Sequence, residues 1–250
     1  MTIQEIQQVQ KMKLHNKLLN LIKTNQNAKK RFEVVKNEDE NITELYIYDV
    51  IDSWFGVSAE NFVKTLNAIN SDEVVIRINS PGGDAFDGRA IASAIKSHKS
   101  VITAKIDGLC ASAATTIANA CDDIHMSEGS FYMIHNSWTI GYGNKNDFKD
   151  TAEFLDKIDK SISKDYANKT GLAIEEIETI MDDETWMDSE EAKEKGFVNK
   201  VIKDKAVDNS FNLSVYENAP KMKTEPQPKP NNKDVRKIIA RIAKVKSICE

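Results

Sequence analysis

Along the middle of this chain, apolar residues recur at two spacings. "ELYIYDV" (44–50), "EVVIRIN" (73–79), "VITAKID" (101–107) and "FYMIH" (131–135) are short runs dense in β-branched and aromatic residues, which predicts strands. "SAENFVKTLNAINS" (58–71), behind the N-cap residue Ser58, and "DGRAIASAIKSH" (87–98) carry helical spacing, and a helix of small residues begins at Ser112. Strand and helix in alternation predict an α/β fold whose largely parallel sheet is covered by helices.

Further on, Phe148, Leu155, Ile158, Ile162 and Tyr166 fall on one face of a long helix from Asn146 to Lys169, closed by Gly171. "DSEEAKEKG" reads as another helix, with Asp188 as cap and Glu191 at the capping-box position, and "FVNKVI" as a closing strand. The two ends are different in kind. Residues 3–24 read as a polar helix before the charged "KNEDEN". Four of the five prolines stand in "PKMKTEPQPKP", a linker composition, and beyond it Val235, Ile238, Ile239, Ile242 and Val245 form one stripe of a basic amphipathic helix. The predicted organisation is an N-terminal helical extension (1–40), a central domain (41–218), a linker (219–232) and a C-terminal helix (233–250).

Composition narrows the function. A net charge of −5 offers no footprint for a polyanion, so nucleic acid is not an expected partner. No run has the length of a membrane span and the N-terminal stretch lacks the apolar core of a secretion signal, so a cytoplasmic protein without membrane attachment is expected. Cys110, Cys121 and Cys249 have no CxxC spacing, which suggests neither a disulfide framework nor a metal site.

The candidate chemistry centres on "GLCASAATTIANA" (108–120), where Ser112 stands at the passage from strand to helix among alanines. There the helix dipole favours negative charge, and the small Ala111, Ala113 and Ala114 would leave room for a substrate carbonyl. A serine needs a base to become a nucleophile. Of the four histidines, His15, His98 and His125 read as surface residues, whereas His135 ends an apolar strand that would hold its ring at a sheet edge. In "INSPGG", Gly82 and Gly83 permit a backbone N–H to face a cleft, and the Ala113 N–H would be the second donor a tetrahedral oxyanion requires. Each piece has a plainer reading: a packed serine, a structural histidine, a tight turn.

Four blocks in this order and spacing, "INSPGGDAFDGRAI", "GLCASAATTIA", "MIH" and "TWMDSEEAKEKGFVNKVI", resemble the proteolytic subunit of the Clp protease family, and within it the Clp-like head-maturation (prohead) proteases of tailed phages. The resemblance runs from about residue 43 to residue 202. It implies the ClpP/crotonase-like fold of repeated β-β-α units, with the long helix as a handle protruding from the head. It implies Ser112 as nucleophile, His135 as base, and Gly83 and Ala113 as oxyanion-hole donors. The family's third member is an aspartate; Glu184 stands at that position, with Asp183 and Asp182 as alternatives, beside the plainer reading of an acidic solvated turn. No cofactor is implied.

The partners implied are protein substrates, scaffold or capsid precursors in the phage reading, and further copies of the chain in a ring of seven or a stacked pair of such rings. The site of action implied is the host cytoplasm or the procapsid. Three other functions stay open: a bacterial Clp proteolytic subunit served by an ATP-dependent unfoldase, a crotonase-type acyl-CoA enzyme, and a catalytically inactive ring component.

Overall fold

A computed structural model describes residues 32–37, 41–54, 56–205, 211 and 213–220. The predicted N-terminal helix, the linker beyond residue 220 and the C-terminal amphipathic helix lie outside these residues. In chain order the elements are β1 (Val34–Asn37), β2 (Ile42–Ile47), α1 (Ala59–Asn67), β3 (Glu73–Ser80), α2 (Ala85–Lys96), β4 (Val101–Ala111), α3 (Ala113–Ala118), β5 (Asp123–Glu128), β6 (Phe131–Ile134), α4 (Lys145–Thr170), α5 (Ile174–Asp182), β7 (Thr185–Met187), α6 (Ser189–Glu194) and β8 (Lys200–Lys205).

One eight-stranded sheet runs β1-β2-β3-β4-β5-β8, with β6 and β7 branching from it. The branch point is β4, which is long enough to serve two partners. Its Thr103–Ile106 stretch pairs with β5, and its Leu109–Ala111 end pairs with β6. Pairing is parallel except for β1 with β2 and β6 with β7, the largely parallel α/β arrangement expected. The strands alternate: Val74, Ile76 and Ile78 of β3 and Ile102, Ala104 and Ile106 of β4 are buried in one core with Phe62 and Leu66 of α1 and Ile91 and Ile95 of α2, while Val75, Arg77, Thr103 and Lys105 on the opposite face are partly exposed.

The helices begin where their caps say they should. Ser58 accepts from Asn61 N, Asp84 accepts from Phe86 N and Asp87 N, and Asp188 and Glu191 complete the expected capping box of α6. Helix α4 ends at Gly171 with φ of 77°. From Leu155 onward it buries Tyr166 and partly buries Leu155, Ile158 and Ile162, whereas Phe148 near its start is 52% exposed. The helix therefore roots in the domain and projects from it.

Several expectations need correction. Residues 34–37, assigned to the N-terminal helical extension, form a strand, because Val34 and Val35 pair with Leu45 and Glu44 along the free edge of β2. The domain thus begins before residue 41. Strands β5 and β7 and helix α5 were not among the predicted elements. In "FVNKVI" the strand starts only at Lys200; Phe197 and Val198 are buried plugs, with the Phe197 ring packed against Tyr132 and Tyr166.

Candidate active site

Strand register assembles the site. Strands β3, β4 and β6 are neighbouring and parallel, and the pairs Ser80↔Cys110 and Ala111↔Met133 bring their C-terminal ends to one edge. The SPGG turn, Ser112 and His135 each follow such an end, in the crevice where open α/β sheets hold ligands. Strand β7 runs antiparallel to β6 with Ile134 opposite Thr185, which brings Glu184, the turn residue before β7, near enough to His135, the residue after β6, for its charge to act on the ring.

Ser112 occupies φ 54° and ψ −126°, a backbone region that a non-glycine residue holds only at a cost of about 1–3 kcal/mol. Its neighbours hold it there. Its N–H donates to Met133 O at 2.9 Å, and its carbonyl accepts from Thr115 N at 2.9 Å and Thr115 Oγ1 at 2.6 Å. Thr115 Oγ1 also lies 2.5 Å from the phenol of Tyr166, which ties the turn to the root of α4.

The small residues around Ser112 serve packing rather than clearance for a substrate. Ala111 and Ala114 are fully buried and Ala113 nearly so, and a Cβ on Gly88 would come within 3.2 Å of Ala113 Cβ. Gly82 is what keeps the space beside the hydroxyl: with φ of 87°, a Cβ there would sit 2.7 Å from Ser112 Cβ.

His135 Nε2 lies 2.8 Å from Ser112 Oγ. Burial lowers the imidazole to a pKa of about 4, against the opposing pull of the Glu184 charge. The ring is therefore neutral near pH 7 and able to accept the hydroxyl proton on Nε2, which leaves the ring proton on Nδ1.

Both candidate oxyanion donors stand beside this pair. The Gly82 carbonyl accepts from Ile51 N at 2.9 Å, and since the peptide is trans and planar the Gly83 N–H points to the opposite side, away from Ile51. Ala113 is the first residue of α3, so its N–H has no partner within the helix.

Glu184 also has a positive φ, 46°. Its carboxylate accepts from Asn218 N (2.8 Å) and Trp186 Nε1 (3.2 Å) on Oε1, and from Glu217 N (3.0 Å) on Oε2. The other two acidic candidates turn elsewhere. Asp182 accepts from Asn136 Nδ2 at 2.6 Å, and Asp183 is exposed. Among the three, the charge acting on His135 is that of Glu184.

Of the histidines set aside, His125 lies in β5 against Asp123 and His98 accepts from Ser100 N, both remote in the sheet from this edge; His15 lies outside the described residues. The sequence reading missed Tyr216. Its hydroxyl donates to Pro81 O at 2.5 Å and its ring stands edge-on to His135, with centroids 5.2 Å apart. Burial raises its phenol above the ordinary value, so it remains a donor. In "FNLSVY" the apolar Phe211 and Leu213 alternate with polar residues as in a segment packed on a core, but nothing there singles out Tyr216.

Comparison with known proteins agrees with this geometry. A family model described as Clp protease matches residues 44–205. The ATP-dependent Clp protease proteolytic subunit of Streptococcus mutans is 30% identical over 137 residues, 53% of this chain and 70% of that protein. The subunit of the same name from Streptococcus agalactiae is 28% identical over the same length and shares. ClpP1 from Listeria monocytogenes aligns with a TM-score of 0.56 at 28% identity, covering 67% of this chain and 94% of that one. A point mutant of the same protein gives 0.58 at 28% identity, with 64% and 91% covered.

Proposed function

The chain belongs to the Clp protease family, and from that premise we propose that it is a serine endopeptidase whose acyl-enzyme forms on Ser112. The observation that carries the reading is the 2.8 Å contact between Ser112 Oγ and a neutral His135.

In this mechanism Ser112 Oγ attacks the scissile carbonyl carbon while its proton passes to His135 Nε2. The carbonyl oxygen becomes an oxyanion held by the Gly83 and Ala113 N–H groups, which are worth most where the charge develops. Collapse breaks the C–N bond, and the amine departs with the proton from Nε2. Water, deprotonated by the same nitrogen, then attacks the ester and releases Ser112. The Glu184 carboxylate stabilises the imidazolium present in both transition states. No step calls on a cofactor.

For the substrate we favour scaffold or capsid-precursor chains cut during phage head maturation, in the host cytoplasm or the procapsid, by copies of this chain assembled as a ring. The order of the "INSPGG", "GLCASAA", "MIH" and "ETWM" blocks supports it, as does chain beyond the family match that packs at the site. A second reading, a proteolytic subunit fed by an ATP-driven unfoldase, is favoured by the names of the Streptococcus relatives. The Ser112–His135 contact speaks against both a crotonase-type enzyme and an inactive ring component.

Incubation of the purified protein with a folded helical scaffold-type substrate and with unfolded casein, each without ATP, separates these readings. Cleavage of both is expected for the maturation enzyme, cleavage of the unfolded chain alone for the unfoldase-dependent one. Replacement of Ser112 by Ala should lower either rate by a factor on the order of 10⁴ or more. Turnover that survives this change would refute the assignment.

A further inference from the structure

Residues 211 and 213–220 lie beyond the stretch matched by the family, yet they touch the strand ends below the site, His135, the Pro81 turn and Glu184. Phe211 and Leu213 are 3% and 7% exposed and pack on Leu109, Ala111 and Met133, the strand residues just before Ser112 and His135. From that anchor the chain passes Trp186, whose ring is edge-on to Tyr216 at 5.7 Å, and Tyr216 in turn is edge-on to His135. The next two N–H groups go to Glu184, and Asn218 Nδ2 donates to Asp183 O at 2.8 Å.

We propose that this segment is a built-in part of the active site, with Tyr216 a positioning residue that holds the His135 ring and the Pro81 turn while the N–H groups of Glu217 and Asn218 hold the Glu184 carboxylate. The inference rests on the peptidase reading above. Edge-to-face contact fixes the plane of an imidazole that must present Nε2 to Ser112. The hydroxyl bond to Pro81 O fixes the peptide next to the one that carries the Gly83 N–H.

The carboxylate bonds suit the same role. A carboxylate has about four lone-pair sites, two on each oxygen. Oε1 has two donors and Oε2 has one, so one site on Oε2 remains for the His135 Nδ1 proton. A segment that merely plugged the cleft would need to leave before substrate entered, and leaving would strip the apolar cover from Leu109, Ala111 and Met133 and the donors from Glu184.

The test is the rate at which a fluorophosphonate labels Ser112 in the full chain as a function of pH, for the parent protein, Tyr216→Phe and Tyr216→Ala, with thermal unfolding of each. The other groups around His135 are the same in all three: Glu184 before β7, Asp182 and Asp183 at the end of α5, and Asp159 on α4, which accepts from Ser137 N. Tyr216→Phe keeps the ring and loses the hydroxyl's bond to Pro81 O and its interaction with the Ser112 side chain, so labelling should slow by about threefold to tenfold with the acid limb in place. Tyr216→Ala should slow it by about thirtyfold or more and move the acid limb to higher pH, as water reaches an imidazole that burial had kept from protonating.

If Tyr216→Ala does not fold, Tyr216→Phe at an unchanged unfolding temperature decides the matter. Wild-type rates and pH profile in every folded variant would overturn the proposal, as would faster labelling, the mark of a plug. A parent protein that takes no label at Ser112 would overturn the peptidase reading and this inference with it.

Discussion

At the scale of single residues, burial and the Glu184 charge make separable contributions to His135. The imidazole is held near pKa 4 by burial, so activity should be flat around neutrality and fall as pH drops through about 4, where Nε2 becomes protonated. Glu184 raises that pKa, so Glu184→Gln should move the acid limb to lower pH. It should also lower the rate by a factor on the order of a hundred or more, because the imidazolium formed in the transition state loses its counter-charge. Asp183→Asn, at an exposed neighbour, should leave both unchanged in a pH–rate profile. An acid limb that follows Asp183 rather than Glu184 would reassign the third carboxylate. Ser112 and His135 could be singled out in the sequence because each belongs to a short block whose order has a known resemblance, whereas Glu184, just before the last block, was legible only with Asp183 and Asp182 as alternatives. Tyr216 could not, since its role depends on a fold-back across about 80 residues of chain from His135 that no local pattern encodes.

At the scale of elements, the site depends on how tightly the strand ends and the root of α4 are joined. Tyr166→Phe removes the buried bond to Thr115 beside the Ser112 turn and should cost about 1–2 kcal/mol in denaturant unfolding. Gly82→Ala would force a Cβ to 2.5 Å from Ala111 O at a φ of 87°. A loss of about 2 kcal/mol or more is expected, together with lost activity; wild-type stability would show that the turn is looser than described. The elements readable in the sequence were those with strong period and caps: α1, α2, α4, α6 and the core strands β2, β3, β4 and β6. Strand β7 is three residues long and has no pattern to detect, whereas β5 alternates Ile124 and Met126 with polar residues over too short a run to stand out. The short, exposed β1 is a strand because β2 offers it an edge.

At the scale of the whole molecule, α4 projects with Phe148 and Phe154 about half exposed, Phe154 stacked on Phe86 of α2. Apolar surface of this kind seeks a partner, and copies of the same helix are the partner that the proposed ring supplies. Native mass measurement should find a multiple of the 28.1 kDa chain, and Phe148→Asp should shift it toward the protomer. A monomeric parent protein that still cleaves peptides would remove the ring from the account. The α/β class and the parallel sheet were legible from alternation alone, whereas the forked path of β4, which brings β6 beside Ser112, is a property of three-dimensional register.

The central claim, that Ser112 is the nucleophile and His135 its base, is tested most directly by peptide mapping of the fluorophosphonate adduct. The account predicts a single adduct on Ser112, absent in Ser112→Ala and formed at least about a hundredfold more slowly in His135→Ala. An adduct on any other residue, or one that forms equally fast without His135, would contradict it.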